Sequence, residues 1–518
     1  MATTTREAAG VVGAAHGTPE PGPWLQARDR MLEIAPGLLT WVLVLAPAWI
    51  PLAFGYYGAL SVALGVLLFD LYWFVRSIIV VRGSWGTYRH LKRDMRTDWL
   101  ERCREPVPEG ARDPLSYYHL SLIPTYTEPY TTLERTVQAM AEANYPKELK
   151  LVGIITRETD KAGWANVARL REKFGDQFQD FHHIKDPLEP PLVPGKSAAM
   201  NWGGREMVKR LTALGYDLKR VIVTDLDSDY RVHPQYFAWL SYHQARTPLP
   251  DSTIWQPIQL FYNNIWAVPT AVRVMTAIST QSALYNHSQP RRLVPFSSYS
   301  VSLDMVRRTG YWDKDVIPED SRFFWKSFFV FGRDLKVRPC FLPLYGDSPE
   351  SRDYAGTLLN QYNQTKRWAW GVTDIPYAAK RLFQHPEIPL GLRLYRFWGL
   401  VATHVNWVWL PILLLLGTNM PVWVSVDFAL TDFGQNLWVY STAIVSAALF
   451  SAAILIYVEA RLLPSKPAVW NRVHRIAIYF QYFTFPIVGI VLNAIPALES
   501  HTRLLLGKYL EYRVTEKV

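Results

Sequence analysis

Apolar residues fall along this chain in two regimes. Long runs, Ile34–Gly55 and Tyr57–Val81 near the start and Phe397–Gly417, Leu437–Ala460 and Ile476–Ala497 later, are almost unbroken. At about 1.5 Å per helical residue each can cross a hydrocarbon layer of about 30 Å. Between them, from Tyr117 to about Pro343, the apolar runs shorten to HLSLIPTY, LKLVGIIT, FHHI, RVIVTDLD and TIWQPI. Stretches of helical period separate these, among them Ala162–Phe174, Ser197–Leu214 and Ile265–Tyr285. Such alternation predicts an α/β domain, a mainly parallel sheet with helices on both faces. The whole reads as that domain inserted between N- and C-terminal transmembrane helices.

The pattern divides the chain further. Residues 1–30 are rich in Ala, Gly, Thr and Pro, show no period and predict a disordered tail. They hold no charged segment directly before an apolar one, so a cleaved signal peptide is not expected. Residues 31–82 predict a transmembrane hairpin and 105–345 the sheet domain. Residues 346–395, with Trp368, Trp370, Tyr377, Lys380 and Arg381, predict amphipathic helices at a membrane interface. Residues 396–497 form the C-terminal transmembrane region and 498–518 a basic tail. Arg82–Arg104 carries seven Lys/Arg against three acids, which puts that side, the N-terminus and the sheet domain in the cytoplasm. Three full C-terminal crossings would leave the tail outside, against its Arg503, Lys508, Arg513 and Lys517. Pro486 and Pro496 allow the last run to be broken or re-entrant. Asp70, inside the second run, should face a partner helix rather than lipid.

Composition sharpens this. Apolar residues make up 49%, charged residues 19%, and there are 21 Trp and 28 Tyr, a balance suited to a multi-pass protein of the cytoplasmic membrane. With membrane segments present, the net charge of +10 points to membrane lipids and away from nucleic acid. Cys103 and Cys340 match no metal-site spacing.

The densest chemistry lies in Leu218–Pro234, LKRVIVTDLDSDYRVHP. A buried strand there would deliver Asp225, Asp227 and Asp229 to the C-terminal edge of a parallel sheet, where open α/β sheets place ligands. Three carboxylates so close need an offsetting positive charge, and Mg²⁺ or Mn²⁺ carrying a phosphate fits. Lys196 opens a predicted helix, whose N-terminal amides also favour phosphate. Arg367 offers a planar donor fork for a diphosphate. Glu319 and Asp320 follow Pro318, either as N-capping acids for Ser321–Val330 or as the base of a reaction. Asp225 reads as a surface or capping carboxylate, Glu128 as a site residue or a helix-starting acid. Adjacent His182 and His183 would point to opposite faces of a strand and so predict no shared metal.

Five segments then stand in order: Pro124-Thr125-Tyr126-Thr127-Glu128, Lys196 to Asn201, Asp227-Ser228-Asp229 with Pro234 five residues on, Pro318-Glu319-Asp320, and Gln364-Thr365-Lys366-Arg367-Trp368. In this order and spacing over Tyr117–Gly371 the chain resembles the membrane-embedded family-2 glycosyltransferases, the class of cellulose, chitin and hyaluronan synthases. The resemblance implies a GT-A-like fold and inverting transfer of a sugar from a nucleotide-diphosphate donor, UDP-linked in that class, to a growing polysaccharide. It implies Asp320 as catalytic base beside Glu319, and Asp227 and Asp229 for diphosphate and metal. Tyr126, Glu128 and Glu158 would line the nucleoside, Lys196 and Arg367 the phosphates, and Gln364 and Trp368 the acceptor. Tyr512-Arg513-Val514-Thr515-Glu516-Lys517 resembles a gating-loop segment in which Thr515 and Lys517 touch phosphate; a frayed basic tail is the plain alternative. The chain departs from the class at Thr156-Arg157-Glu158-Thr159-Asp160, where an Asp-rich turn usually holds uracil, and Glu158 or Asp160 would have to substitute. Transfer of single sugars to a lipid acceptor, and a nucleotide-binding transporter or scaffold, remain as other readings. Any regulatory or export subunit would be a separate chain.

Overall fold

The computed structural model describes residues 23–188, 193 and 195–511. Eight strands form one sheet: β1 Tyr118–Pro124, β2 Lys150–Arg157, β3 Asp180–Asp186, β4 Val221–Asp225, β5 Arg231–Val232, β6 Thr253–Leu260, β7 Tyr299–Ser302 and β8 Lys336–Tyr345. Their order is β3-β2-β1-β4-β7-β6-β8-β5. β3, β2, β1 and β4 run parallel, as do β6 and β8. β7 lies antiparallel between β4 and β6, and β5 antiparallel on β8. The mainly parallel α/β expectation therefore holds, with three strands the pattern did not announce. The apolar run of β4 is wholly buried, because helices cover both faces.

Two apolar cores lie on either side. On one, Ile123, Val137, Ile154, Val167 and Trp239 pack together; on the other, Leu122, Ile155, Met207, Val223 and Phe323. The Lys161–Phe174 and Lys196–Ala213 helices start within a residue of expectation. The Thr270–His287 helix starts five residues late, because Pro269 occupies its N-cap.

The described residues hold four helices long and apolar enough to span a membrane: Trp24–Asp94, Leu390–Leu416, Asp432–Leu462 and Arg472–Leu505. In the first, Gly55 breaks the helix with φ 56° and ψ −137°. A Cβ on Gly58 would meet the Ile50 carbonyl oxygen at 2.5 Å, so the chain folds back on itself there. The helix begins at Pro23, which corrects the disordered tail at residues 23–30, and it runs to Asp94 rather than stopping at 82. Asp70 does face a partner, accepting from Ser441 Oγ at 2.6 Å, and Ser441 also meets Thr418 Oγ1 at 2.9 Å. The last segment is broken, with a 3₁₀ stretch at Ile478–Thr484 and a π stretch at Gly489–Ala494. The Ile495–Leu505 helix takes in residues 498–505, which corrects their reading as tail. Arg30 Nη1 donates to the Leu504 carbonyl at 3.0 Å, tying that helix to the N-terminal one.

Packing of Gly58 against backbone leaves no side chain able to yield. Gly58→Val should therefore destabilise the protein by about 1–3 kcal/mol, as overpacking of close-packed sites does. Gly65→Ala, where nothing lies within 4 Å, should stay within about 0.5 kcal/mol. Thermal unfolding of the two variants in detergent checks the contrast.

Candidate active site

β4 carries Asp225 to the C-terminal edge of the sheet, and the turn after it holds Asp227 and Asp229. Leu226 N donates to the Leu122 carbonyl at 3.0 Å, pinning that turn to the end of β1. The helix at Lys196 begins beside it. Lys196 Nζ lies 3.1 Å from Asp225 Oδ1, 2.7 Å from Asp227 Oδ1 and 2.9 Å from Glu319 Oε1, and donates to the Ser297 carbonyl at 2.8 Å. The positive charge that the aspartates require is thus supplied from within the chain. Asp225 is fully buried, which corrects its reading as a surface or capping group.

Charge balance follows from burial. One ammonium faces three carboxyl groups, and taking carboxylates from water disfavours their charged form. Burial pushes Asp225 well above the usual carboxylate range, with Glu319 and Asp227 adding to the rise. Glu319 is pushed up to about 7 by burial, against the pull of Lys196. The three carboxylates hold Lys196 charged, above its ordinary value despite burial.

Asp320 sits differently. Its Oδ2 accepts from Ser297 N at 2.5 Å and its Oδ1 from Ser321 N at 2.7 Å. Burial raises its pKa while these two amides hold it down, the rise prevailing. Glu319 and Asp320 form the first turn of the Glu319–Phe331 helix, whose N-cap is Pro318. They follow the cap rather than occupy it.

Ser297, which the sequence did not single out, joins these groups. Its N–H holds Asp320, its Oγ donates to Asp227 Oδ2 at 2.6 Å, and its carbonyl takes Lys196. Its φ of 56° is unusual for a residue with a Cβ. Tyr230 OH lies 3.0 Å from the same Oγ, and Asp227 N donates to Ser298 Oγ at 3.1 Å. Behind Asp320, Ser321 Oγ and Arg322 Nε donate to the buried Asp374 at 2.5 and 2.7 Å. Asp374 and Arg322 too were unforeseen.

The remaining predicted residues surround this centre. Glu128 Oε1 accepts from Ser228 Oγ at 3.0 Å and its Oε2 from Tyr126 N at 2.5 Å, so it meets the aspartate turn directly. The Arg157 guanidinium lies 4.1 Å from the Tyr126 ring centroid. Glu158 is exposed at the end of β2, while Asp160 caps the next helix by accepting from Gly163 N at 2.9 Å. Asp160 is therefore engaged as a cap. Asp229 Oδ2 accepts from Asp347 N at 2.9 Å. On the Tyr354–Ala369 helix, Gln364 is buried with Oε1 lacking a hydrogen bond, and Arg367 is half-buried. Trp368 lies 5.8 Å from Phe261, which packs on Tyr230 at 6.2 Å and so reaches the Ser297 side of the centre. Trp370 is buried, Lys380 pairs with Asp29 at 2.9 Å and Arg381 covers Tyr377 at 3.8 Å. His183 Nε2 meets Thr156 Oγ1 at 2.8 Å. Thr515 and Lys517 lie outside the described residues.

Among the described residues no three His, Cys, Asp or Glu form a metal cage. Asp227 and Asp229 stand two residues apart on the turn after β4, and carboxylate is the ligand type a hard divalent ion takes beside phosphate and water.

The sheet edge thus gathers acids around one lysine, in an α/β domain on a chain whose described residues hold four long apolar helices. Residues 222–458 match the family described as glycosyl transferase family group 2, and the chain carries a family-2 glycosyltransferase domain. No curated protein matches the chain. Among solved structures, the mannosyltransferase PcManGT from Pyrobaculum calidifontis in complex with GDP-Man and Mn²⁺ is 15% identical, covering 81% of this chain and 97% of its own, with a TM-score of 0.39. S. aureus TarS is 12% identical, covering 67% of this chain and 53% of its own, at 0.32. Its 1–349 form with UDP-GlcNAc is 11% identical, covering 76% and 93%, at 0.33. At these scores the likeness adds nothing to the family match.

The lysine cluster makes an unequal pair of predictions. Lys196→Met strands buried carboxylates and should destabilise by about 3–5 kcal/mol. Asp225→Asn, removing a carboxyl whose charged form burial already disfavours, should change stability by less than about 1 kcal/mol. Thermal unfolding at pH 7 separates them.

Proposed function

We propose that this chain is an inverting glycosyltransferase of the cytoplasmic membrane, moving sugar from a nucleotide-diphosphate donor, UDP-linked as the family resemblance implies, to a growing polysaccharide. The observation that carries the reading is the joint held by Ser297, which sets a candidate base, Asp320, beside the diphosphate-side groups Asp227 and Lys196. Asp320 takes the proton of the acceptor hydroxyl. That oxygen attacks the anomeric carbon as the bond from that carbon to the diphosphate oxygen breaks, and the nucleoside diphosphate leaves. One displacement inverts the configuration.

Each other group supports a part of this. Lys196, with Arg367, faces the charge that grows on the leaving diphosphate. Asp227 and Asp229 would hold Mg²⁺ or Mn²⁺, which when bound neutralises the same charge. Tyr126, Glu128 and Glu158 stand where β1 and β2 end and would receive the nucleoside. Gln364 and Trp368 would receive the acceptor sugar, Trp368 by stacking. Thr515 and Lys517 would close over the phosphates. The basic residues of Arg82–Arg104 support a cytoplasmic domain by the positive-inside rule.

Nucleotide release from a panel of UDP- and GDP-sugars, by the purified chain in lipid nanodiscs with Mg²⁺ or Mn²⁺, tests the proposal. One donor should be turned over, and Asp320→Asn should lower kcat at least about a hundredfold with the protein still folded. Silence with every donor, or full activity in the variant, overturns it. Because the base works ionised and burial raises its pKa, kcat/KM should fall as pH drops through the Asp320–Glu319 titration and level off above it. A labelled product retained by size means a polymer; one extracted into organic solvent means a lipid acceptor.

A further inference from the structure

We propose that the joint between the N-terminal helix, the Asp432–Leu462 helix and the sheet domain is a binding site for the phosphate of an anionic membrane lipid. A cavity of about 630 Å³ opens there, lined by Arg89, Lys92, Arg93, Arg96 and Arg461 beside Tyr88. Five cations share that wall with one neighbouring acid. Asp94 pairs with Arg93 at 2.8 Å but is itself buried, its other oxygen accepting from Trp239 Nε1 at 2.9 Å. Among the described residues Arg89, Lys92, Arg96 and Arg461 pair with no acid. Cations converging on a cavity repel one another, and an anion with several oxygens would relieve this.

Depth identifies the anion. Trp85 and Tyr457, both exposed, lie 6.2 Å apart, and Trp85 also meets Tyr88 at 5.6 Å. Exposed Trp and Tyr on apolar helices mark the headgroup level of a bilayer. Arg89 follows Trp85 by four residues and Arg461 follows Tyr457 by four, so each cation sits on the same helix face about one turn toward water. That is where lipid phosphates lie. A soluble anion would need no aromatic pair beside it.

The site also touches the catalytic domain. Arg93 holds Asp94, and Asp94 holds Trp239 on the Tyr236–Arg246 helix, two residues beyond the aspartate stretch. Leu91 and Val458 pack in one core with Ile258 and Leu284. A bound headgroup would therefore brace the sheet domain on its membrane helices. The proposal rests on the membrane reading and is independent of the transfer reaction, so its test reads binding and stability rather than turnover.

The full chain in uncharged detergent would be titrated with phosphatidylglycerol, phosphatidylcholine or inorganic phosphate, following the unfolding midpoint and lipid adducts by native mass spectrometry. Phosphatidylglycerol should raise the midpoint and bind; phosphatidylcholine should not. The triple variant R89Q/R96Q/R461Q should weaken phosphatidylglycerol binding roughly a hundredfold, about a fifth of the affinity being retained per charge removed. A charge-matched control on the exposed sheet domain, K147Q/K209Q/R333Q, should bind as the unaltered chain does. An unchanged response in R89Q/R96Q/R461Q, or an equal loss in the control, overturns the site. The full midpoint shift with inorganic phosphate alone overturns the lipid assignment.

Discussion

The arrangement turns on a single buried ammonium. Three carboxyl groups from β4, the turn after it and the Glu319–Phe331 helix approach Lys196 within about 3 Å. At an effective dielectric of about 20 each ionised contact at that distance is worth about 5 kcal/mol before desolvation, which removes much of it. The cluster is therefore less a source of stability than a demand on geometry. Each element must be in register for the charges to meet. Burial eases the demand at Asp225, whose pKa it pushes well above the usual carboxylate range.

Polar contacts extend this constraint outward to the apolar helices. Asp374 receives Arg322 and Ser321 from the helix that carries Asp320, and belongs to the Asp374–Arg381 helix, whose Lys380 reaches Asp29. Lys366, beside Arg367, pairs with Glu499, and Tyr362 OH donates to the same carboxylate at 2.8 Å. Tyr262 OH donates to the buried Glu459 at 2.7 Å. A buried acid met by a hydroxyl or cation fixes orientation better than apolar contact, because misplacement leaves it unsatisfied. The segment of Gln364 and Trp368 is thus anchored on both sides, to the sheet domain through Phe261 and to the last helix through Glu499.

Much of this was legible in the sequence, and the exceptions have physical reasons. β1, β2, β4 and β6 show as apolar runs because both their faces are covered. β7, Tyr299-Ser300-Val301-Ser302, is equally buried but alternates with serines, whose hydroxyls find partners such as Thr224 Oγ1 at 2.8 Å. No hydropathy pattern reveals a strand whose polar atoms are satisfied inside. β8 carries Pro339 and Pro343, tolerated where β6 and β8 shift register near Pro257. Lys196 was found for its place before a helix, yet its carboxylate partners come from segments no spacing rule connects. Ser297 acts largely through its backbone N–H and carbonyl, which every residue has, so its side-chain type could not reveal it. The sole hint was its place among polar residues, Ser297-Ser298, between apolar ones.

Glu319 and Asp320 show why adjacency in sequence need not mean a shared role. Successive residues on a helix project about 100° apart. Glu319 therefore turns to Lys196 and serves charge balance, while Asp320 turns to two backbone amides and, among the described residues, to no cation at hydrogen-bonding distance. A base tied to an ammonium would be a weak base, its charge already neutralised. One held only by amides keeps its charge available and its orientation fixed. Burial raises its pKa, and the two amides oppose that rise without cancelling it. Lys196 and Asp320 meet the same residue, Ser297, the lysine at its carbonyl and the carboxylate at its N–H.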